Sequence, residues 1–434
     1  MFRSRRLFLL FSMQHHLRLP IFITSSGQLV SMRHNEPITF CGFAGRETFS
    51  SKSYSSIPPE IWTQVFRELQ ITAGRPLSNM ICIAICLSHV CQQWRYIVLH
   101  DPQLWSTICA GHGTHALAFY QAIMQRSQQT PLTIELNVEE GSIPAQEESA
   151  AMLFESCLPQ IHRVRSLTLA APMAFLDRCI SHLRTLSAPL LVKLIVIETA
   201  AFQPWPQSDV GKTADCIFTG GADRLASFYY INPLHLHIHP PLLSLQKMSL
   251  HFDCAPSCDA LYEALRGTSR TLVDLDITFP RQRDQCMMRF SRIEMPRMSR
   301  ARFCGSCQDG QAFFSRVVIA PNLSALTLIT LPGKPPAPRP SGPEYRNLKV
   351  LKIVGPGPIR SLLSYFPMIV KLVIADRLAG QDDLHAILNM QDGVDYLPNI
   401  RWITIPADYR QAVMAFCSIR RELQMEAPRI EYIE

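Results

Sequence analysis

Leu323-Ser-Ala-Leu326-Thr-Leu328 is followed, 25 residues on, by Leu348-Lys-Val-Leu351-Lys-Ile353. The same spacing, apolar-x-x-apolar-x-apolar, recurs nine times between Val164 and Ile405. The other copies are Val164/Leu167/Leu169, Leu191/Leu194/Val196, Leu245/Met248/Leu250, Leu272/Leu275/Ile277, Met298/Ala301/Phe303, Ile369/Leu372/Ile374 and Ile400/Ile403/Ile405. In each copy the last two apolar positions alternate with a third residue, which puts both on one face of a short strand. One match means little in a chain that is 47% hydrophobic. The regularity is the argument: the first positions are separated by 27, 54, 27, 26, 25, 25, 21 and 31 residues. The interval of 54 is twice 27, so one unit is degenerate or replaced by a loop.

Helical patterns lie between these strands. Leu176, Ile180 and Leu183 share one face, as do Ile359, Leu362, Leu363 and Phe366. Several strands are entered through a proline, at Pro189, Pro296, Pro321, Pro367 and Pro398, which stops the preceding helix. A unit of this size cannot bury its apolar face alone, and stacking on its neighbours supplies the core. The unit length resembles that of leucine-rich repeats. The expected fold class is therefore mixed α+β and α/β: helices first, then an irregular leucine-rich-repeat-like solenoid over 159–434 in which short parallel strands alternate with helices. The asparagine or cysteine usual after the last strand leucine is missing in most units, as at Leu331 and Pro356. An ordinary α/β domain with a parallel sheet shares the alternation and stays open as the alternative. Residues 200–240 hold no clean copy and read as an insertion. A second insertion at 332–343 is rich in proline, which predicts an extended loop and allows an SH3 or WW ligand.

Residues 53–110 follow a different, 3.6-residue period. Ser56 is a candidate N-cap, Ile57-Pro58-Pro59-Glu60 suits a first helical turn, and Ile61, Trp62, Val65, Phe66 and Leu69 form an apolar face. Gly74 and Pro76 end this helix. A second helix is expected from after Ser78 to Trp94, a short third one from Trp94 to Leu99, and Leu104-Trp105 closes the module. Three fragments stand in order: Ile57-Pro-Pro-Glu-Ile-Trp-x-x-Val-Phe-Arg-x-Leu, Leu87-Ser-His-Val-Cys-Gln-Gln-Trp-Arg and Asp101-Pro-x-Leu-Trp. Together they resemble an F-box, and more narrowly the F-box-like proteins abundant in mushroom-forming fungi. The stretch from Gln125 to Ile134 also resembles the segment after the F-box in that group.

The resemblance implies docking on a Skp-type adaptor and, through it, on a cullin–RING ubiquitin ligase. The candidate contact residues it carries over are Ile57, Pro58, Ile61, Val65, Leu87, Val90 and Trp94, whereas Phe66, Leu69 and Trp105 read as core. Helix-in-groove recognition of this kind rests on a few large apolar anchors. The expected activity is that of a non-enzymatic substrate-recruiting adaptor, cytoplasmic or nuclear, with the repeats binding a protein substrate. A repeat scaffold unconnected to any ligase is the alternative. A third reading is a hydrolase or redox enzyme using Cys304 or Cys307.

Composition bounds these readings. A net charge of +7 over 434 residues is mild, so nucleic acid is not an expected partner. No stretch of 18 apolar residues predicts a membrane span. The 14 cysteines are scattered in apolar company, as thiols are in a reducing compartment. Residues 1–52 carry five arginines before Asn35 and then a serine-rich linker. They read as a poorly ordered basic extension, with a secretory or mitochondrial leader left open. Residues 111–158 connect the module to the repeats.

No cofactor or metal is expected. Cys304-Gly-Ser-Cys307 is a lone pair where structural zinc needs four ligands. His235, His237 and His239 alternate, and on a flat strand they sit about 7 Å apart, too far for one tetrahedral ion. Gly211-Lys212-Thr213 lacks the upstream glycine of a phosphate loop, since Pro206 stands there. Asn322-Leu-Ser is a glycosylation sequon at a predicted strand start.

Overall fold

The computed structural model describes residues 21–23, 29–31, 57–72, 78–110, 117–138, 141, 144–199, 215–231, 238–252, 258–279, 291–306, 317–331, 345–355, 363, 366–375, 388 and 396–433. The chain forms two compact units, residues 1–135 with 148–156, and residues 136–147 with 157–434. The proline-rich segment 332–343, Ser56, Gly74, Pro76 and most of the predicted 359–366 helix lie outside the described residues. Among the described residues no helix is long and apolar enough to cross a membrane.

The first unit contains helices α1 (Pro59–Thr72), α2 (Ser78–Ser88) and α3 (Gln92–His100), a 3-10 turn at Pro102–Trp105, strand β1 (Thr107–Ala110) and helix α4 (Leu117–Arg126). Strand β2 (Leu132–Asn137) and helix α5 (Pro144–Cys157) are divided between the units. The second predicted helix is shorter than expected. It ends at Ser88, and α3 starts at Gln92 rather than at Trp94. The cause is local. Cys91 adopts an extended backbone as the N-cap of α3, and its Sγ accepts from Trp94 N at 3.4 Å. Arg95 then reaches back, its Nε donating to Ser88 O at 2.9 Å and satisfying the frayed end of α2.

The second unit is built on β3 (Val164–Ala171), β4 (Lys193–Glu198), β5 (Ser227–Ile231), β6 (Lys247–His251), β7 (Asp274–Thr278), β8 (Arg300–Ser306), β9 (Ala325–Leu331), β10 (Val350–Val354), β11 (Lys371–Ile374), β12 (Trp402–Pro406) and β13 (Arg429–Ile433). Each strand lies beside the next in chain order, and these pairings are parallel. A doubly wound α/β sheet reverses its strand order at a switch point, and β3 to β13 never do. The arrangement is a parallel sheet with helices, consistent with an α/β solenoid-like fold. Among the helices here are α6 (Met173–Leu183), α7 (Cys258–Thr268) and α8 (Arg410–Glu422).

The register explains the sequence period. Leu275 stands opposite Met248 and Ala301, and Ile277 opposite Leu250 and Phe303. The apolar positions of all nine copies are buried, so equivalent residues of successive units form continuous rows. The face of α6 predicted from Leu176, Ile180 and Leu183 is buried as well.

Residues 200–240 are not simply an insertion. Leu225-x-x-Phe228-x-Tyr230 has the repeat spacing, and β5 pairs with β4 on one side and β6 on the other. Aromatic residues occupy the row there, with the Phe228 and Tyr230 rings 5.9 Å apart. Phenylalanine rings continue the core further on: Phe252 to Phe279 is 6.0 Å and Phe279 to Phe303 is 5.2 Å. Gly305 follows because a Cβ there would stand 3.1 Å from the Phe303 ring and 3.4 Å from Phe279.

A side-chain ladder runs where the proline turns meet. Asn322 Nδ2 donates to Pro296 O at 2.7 Å, Asn347 Nδ2 to Pro321 O at 2.7 Å, and Asn399 Nδ2 to Pro367 O at 3.3 Å. Each asparagine precedes the first apolar position of its unit and satisfies the turn carbonyl of the unit before it. The amide of the Asn322 sequon is thus engaged in a structural bond.

Near the chain's end, Arg420 is buried among backbone carbonyls and an aromatic ring. It donates from Nε to Glu426 O at 2.9 Å and from NH1 to Leu397 O at 3.0 Å, while its guanidinium lies 5.7 Å from the Phe416 ring. Burial lowers its pKa from the ordinary arginine value.

The two kinds of contact differ in weight. Leu351→Ala should cost about 2–5 kcal/mol, since Leu351 is fully buried. Asn347→Ala should cost about 1 kcal/mol, the worth of one exposed hydrogen bond. Amide hydrogen exchange on β9 and β10 reads both, and an equal effect of the two changes would contradict the assignment of the core to the apolar rows.

Candidate functional site: an apolar ridge on the N-terminal module

The start of α1 is set by its prolines. Pro58 O accepts from Ile61 N at 3.1 Å and from Trp62 N at 3.4 Å, which closes the first turn just where a missing proline N–H costs nothing. From there α1 has two apolar sides. One is internal: Phe66 is fully buried and packs against Trp94 with ring centroids 4.9 Å apart, and Trp62 lies 4.8 Å from Trp94. The other is a ridge of Ile57, Pro58, Ile61 and Val65. Pro58 is exposed, Ile61 is 48% exposed, and Ile57 and Val65 are half-buried. Spacings of three and four residues from Pro58 to Ile61 to Val65 align them along one helix face.

The base of the module is locked by charge. Arg67 grips Asp101 with two bonds, Nε to Oδ2 and NH2 to Oδ1, each 2.9 Å. Asp101 is nearly buried and also caps the 3-10 turn, accepting from Gln103 N at 3.1 Å. The hydrogen bond to Asp101 raises the Arg67 pKa above its ordinary value. Gln70 Nε2 donates to Leu104 O at 3.0 Å, and Trp105 Nε1 to Val98 O at 2.8 Å. Arg126 stacks over the Trp105 ring at 4.7 Å. The Asp-Pro-x-Leu-Trp fragment is therefore the clasp that joins α1, α3 and α4.

The seven carried-over contact residues separate accordingly. Ile57, Pro58, Ile61 and Val65 come together on the ridge. Val90 and Trp94 are half-buried at the α2–α3 junction, where Trp94 belongs to the internal aromatic cluster. Leu87 is only 5% exposed and packs inside the module. Its helix is apolar on nearly every side, so sequence periodicity has no means of telling its inner face from an outer one. Phe66 and Trp105 are core, as expected, whereas Leu69 is half-buried. Two exposed apolar residues were not singled out, Ile71 and Tyr96. Tyr96 stacks on His100 at 4.2 Å. The Arg67–Asp101 pair was also missed, although both residues stand in the quoted fragments. A signal was present in the lone basic residue of an apolar helix and the acid before Pro102.

The other candidates are placed apart from one another. Cys304 is on β8 with a free thiol whose pKa burial raises, which disfavours the thiolate. Cys307, His235, His237 and Gly211-Lys212-Thr213 lie outside the described residues. Among the described residues no group of His, Cys, Asp and Glu is arranged to hold a metal ion.

Arg67→Met should destabilise the module by about 1–2 kcal/mol, less than a fully buried pair because the arginine is partly exposed. The loss should be smaller in a chain that also carries Asp101→Asn, a non-additivity that thermal melts of the single and double variants measure.

Two comparisons with known proteins bear on this module. No curated protein matches the chain. Residues 54–110, which hold the ridge, the aromatic cluster and the clasp, match the F-box-like family.

Proposed function

We propose that this chain is a substrate-recruiting adaptor of a cullin–RING ubiquitin ligase, with its F-box-like module bound to a Skp-type adaptor. The observation that carries the reading is the exposed apolar ridge Ile57–Pro58–Ile61–Val65 within the F-box-like segment. Apolar side chains aligned on the outward face of α1 mark an interaction face. The internal cluster and the Arg67–Asp101 clasp hold that face rigid, which lowers the ordering cost of docking.

The second unit, read as a leucine-rich-repeat-like array, presents a protein substrate to the ligase. Its buried rows support this reading by leaving the opposite face of every strand free to vary in chemistry. The chain performs no chemistry of its own here; ubiquitin transfer belongs to the ligase it joins. The site of action is the cytoplasm or nucleus, where such ligases work. Neither nucleic acid nor a membrane is needed as a partner.

Two substitutions in the full-length chain separate contact from core. Ile61→Asp should lower affinity for a purified Skp-type adaptor by about 10–100-fold, as loss of a central anchor does, with the melting temperature unchanged. Leu87→Asp should instead unfold the module, since it buries a charge with no partner. Pull-down beside circular dichroism reads both. A folded wild-type chain that fails to bind the adaptor would sink the ligase role and leave the repeat scaffold.

A further inference from the structure

The face of the sheet opposite the buried rows carries its charges unevenly. On β7 stand Asp274 and Asp276, each flanked from both neighbouring strands: Arg300 NH2 lies 3.4 Å and Lys247 Nζ 3.6 Å from Asp274 Oδ2, and Arg302 NH1 lies 3.8 Å and His251 Nε2 3.7 Å from Asp276 Oδ2. From β8 to β11 the acids stop, and Glu431 on β13 is the next in the row of Asp276. Among the described residues of β8, β9, β10 and β11, none of that face is Asp or Glu. The register sets out two rows there. Arg300, Ala325, Val350 and Lys371 are successive partners, and so are Arg302, Thr327 and Lys352.

The rows form a trough. Its floor is Ala325 and Val350 in the first row and Thr327 in the second, all small or short side chains. Its walls are cationic, the two arginines on one side and Lys352 and Lys371 on the other. The arginine side chains are 64% and 51% exposed, and Lys352 is exposed. Arg302 and Lys352 flank Thr327 from two strand steps apart, about 10 Å at the backbone. Both side chains are long enough to converge on one group above the threonine. A guanidinium has five donors, and a single ion pair to Asp276 occupies one end of it. The aspartates fix the arginines from behind without neutralising the lysines.

We propose that this trough binds an acidic peptide segment of a partner protein, whose carboxylate or phosphoryl oxygens sit over Thr327 between Arg302 and Lys352. Charge complementarity selects the occupant: four cations face a floor that bears no acid. A nucleic acid would draw on the same cations through its phosphates, and it is the competing occupant that the test separates. The idea deepens the proposed function by assigning the substrate-facing surface, and it rests on that reading only for the partner being a ligase substrate.

The test uses the full chain and three labelled peptides of one length: oligo-glutamate, a phosphoserine peptide and oligo-glutamine. Fluorescence anisotropy should show the anionic peptides binding and the glutamine peptide not, with affinity falling as salt rises. Arg302→Ser with Lys352→Ser should weaken binding by about tenfold or more, whereas Arg302→Lys should retain most of it. The stronger of the two anionic peptides identifies the source of the charge. All the changed side chains are exposed, so melting temperatures should hold. Failure of both anionic peptides to bind, indifference to the double change, or tighter binding of a thymidine oligonucleotide would overturn the proposal. Skp-type adaptor binding is measured on the same variants: its loss or absence bears on the ligase role alone, because peptide binding does not require the adaptor.

Discussion

The second unit depends on one constraint: a strand–helix segment of some 25 residues is too small to enclose its own apolar side. Each triad such as Leu348/Leu351/Ile353 has three side chains to hide and only one strand to hide them behind. Burial becomes possible when the next triad stacks in register, and the parallel pairing of Leu326 with Leu351 and Leu351 with Leu372 does this. The strict strand order, the row-like core and the tolerance for variable intervals between triads all result from that. A unit needs its triad in register; the length of chain that returns to the next strand is secondary. That is why spacings of 21 and 31 residues coexist in one sheet.

The proline turns create a second demand. A turn that enters a strand, as after the short strands Ile293–Glu294 and Val318–Ile319, leaves carbonyls outside any backbone ladder, so Pro296 and Pro321 do not end helices as their sequence suggests. Pro296, Pro321 and Pro367 present such oxygens, and an asparagine one unit later supplies the missing donor each time. Apolar rows and polar ladder thus repeat on the same period for different physical reasons. The first excludes water, and the second compensates groups left in need of a partner.

Much of this was legible in the sequence because period-2 burial leaves a mark in residue type. The triads needed only Leu, Ile, Val, Met, Ala and Phe at fixed spacing. The unit at Leu225/Phe228/Tyr230 escaped notice because proline and glycine before it suggested a loop and because tyrosine reads as amphipathic. The asparagine ladder escaped because it stands before the triad, whereas the usual repeat ladder stands after it. In the module, the ridge residues came from the family resemblance, whereas helical spacing gave a single apolar face that mixes Ile61 and Val65 with Trp62 and Phe66. Three features were not legible. Cysteine is an uncommon cap, so the break at Cys91 leaves no strong signal. Leu87 lies on a helix with no polar side to orient it. Arg67 and Asp101 are 34 residues apart, and only the fold shows that they meet.

These constraints also divide labour between the faces of the sheet. The inner face admits few residue types, because a polar side chain in a row would be buried between two apolar neighbours. The outer face carries no such requirement, and there Lys, Arg, Asp, Thr and Tyr succeed one another along the rows. Where an acid stands beside a base, as at Asp274 and Arg300, the pair settles locally. Beyond Arg302, whose acid is Asp276, the row continues through Thr327 to Lys352 with no acid between them. A half-exposed arginine held at one end by a carboxylate remains a donor at the other. Ion pairs at such exposure add little to stability, and they leave most of each guanidinium's five donors facing solvent, where their chemistry is set by what approaches the sheet and not by the core beneath it.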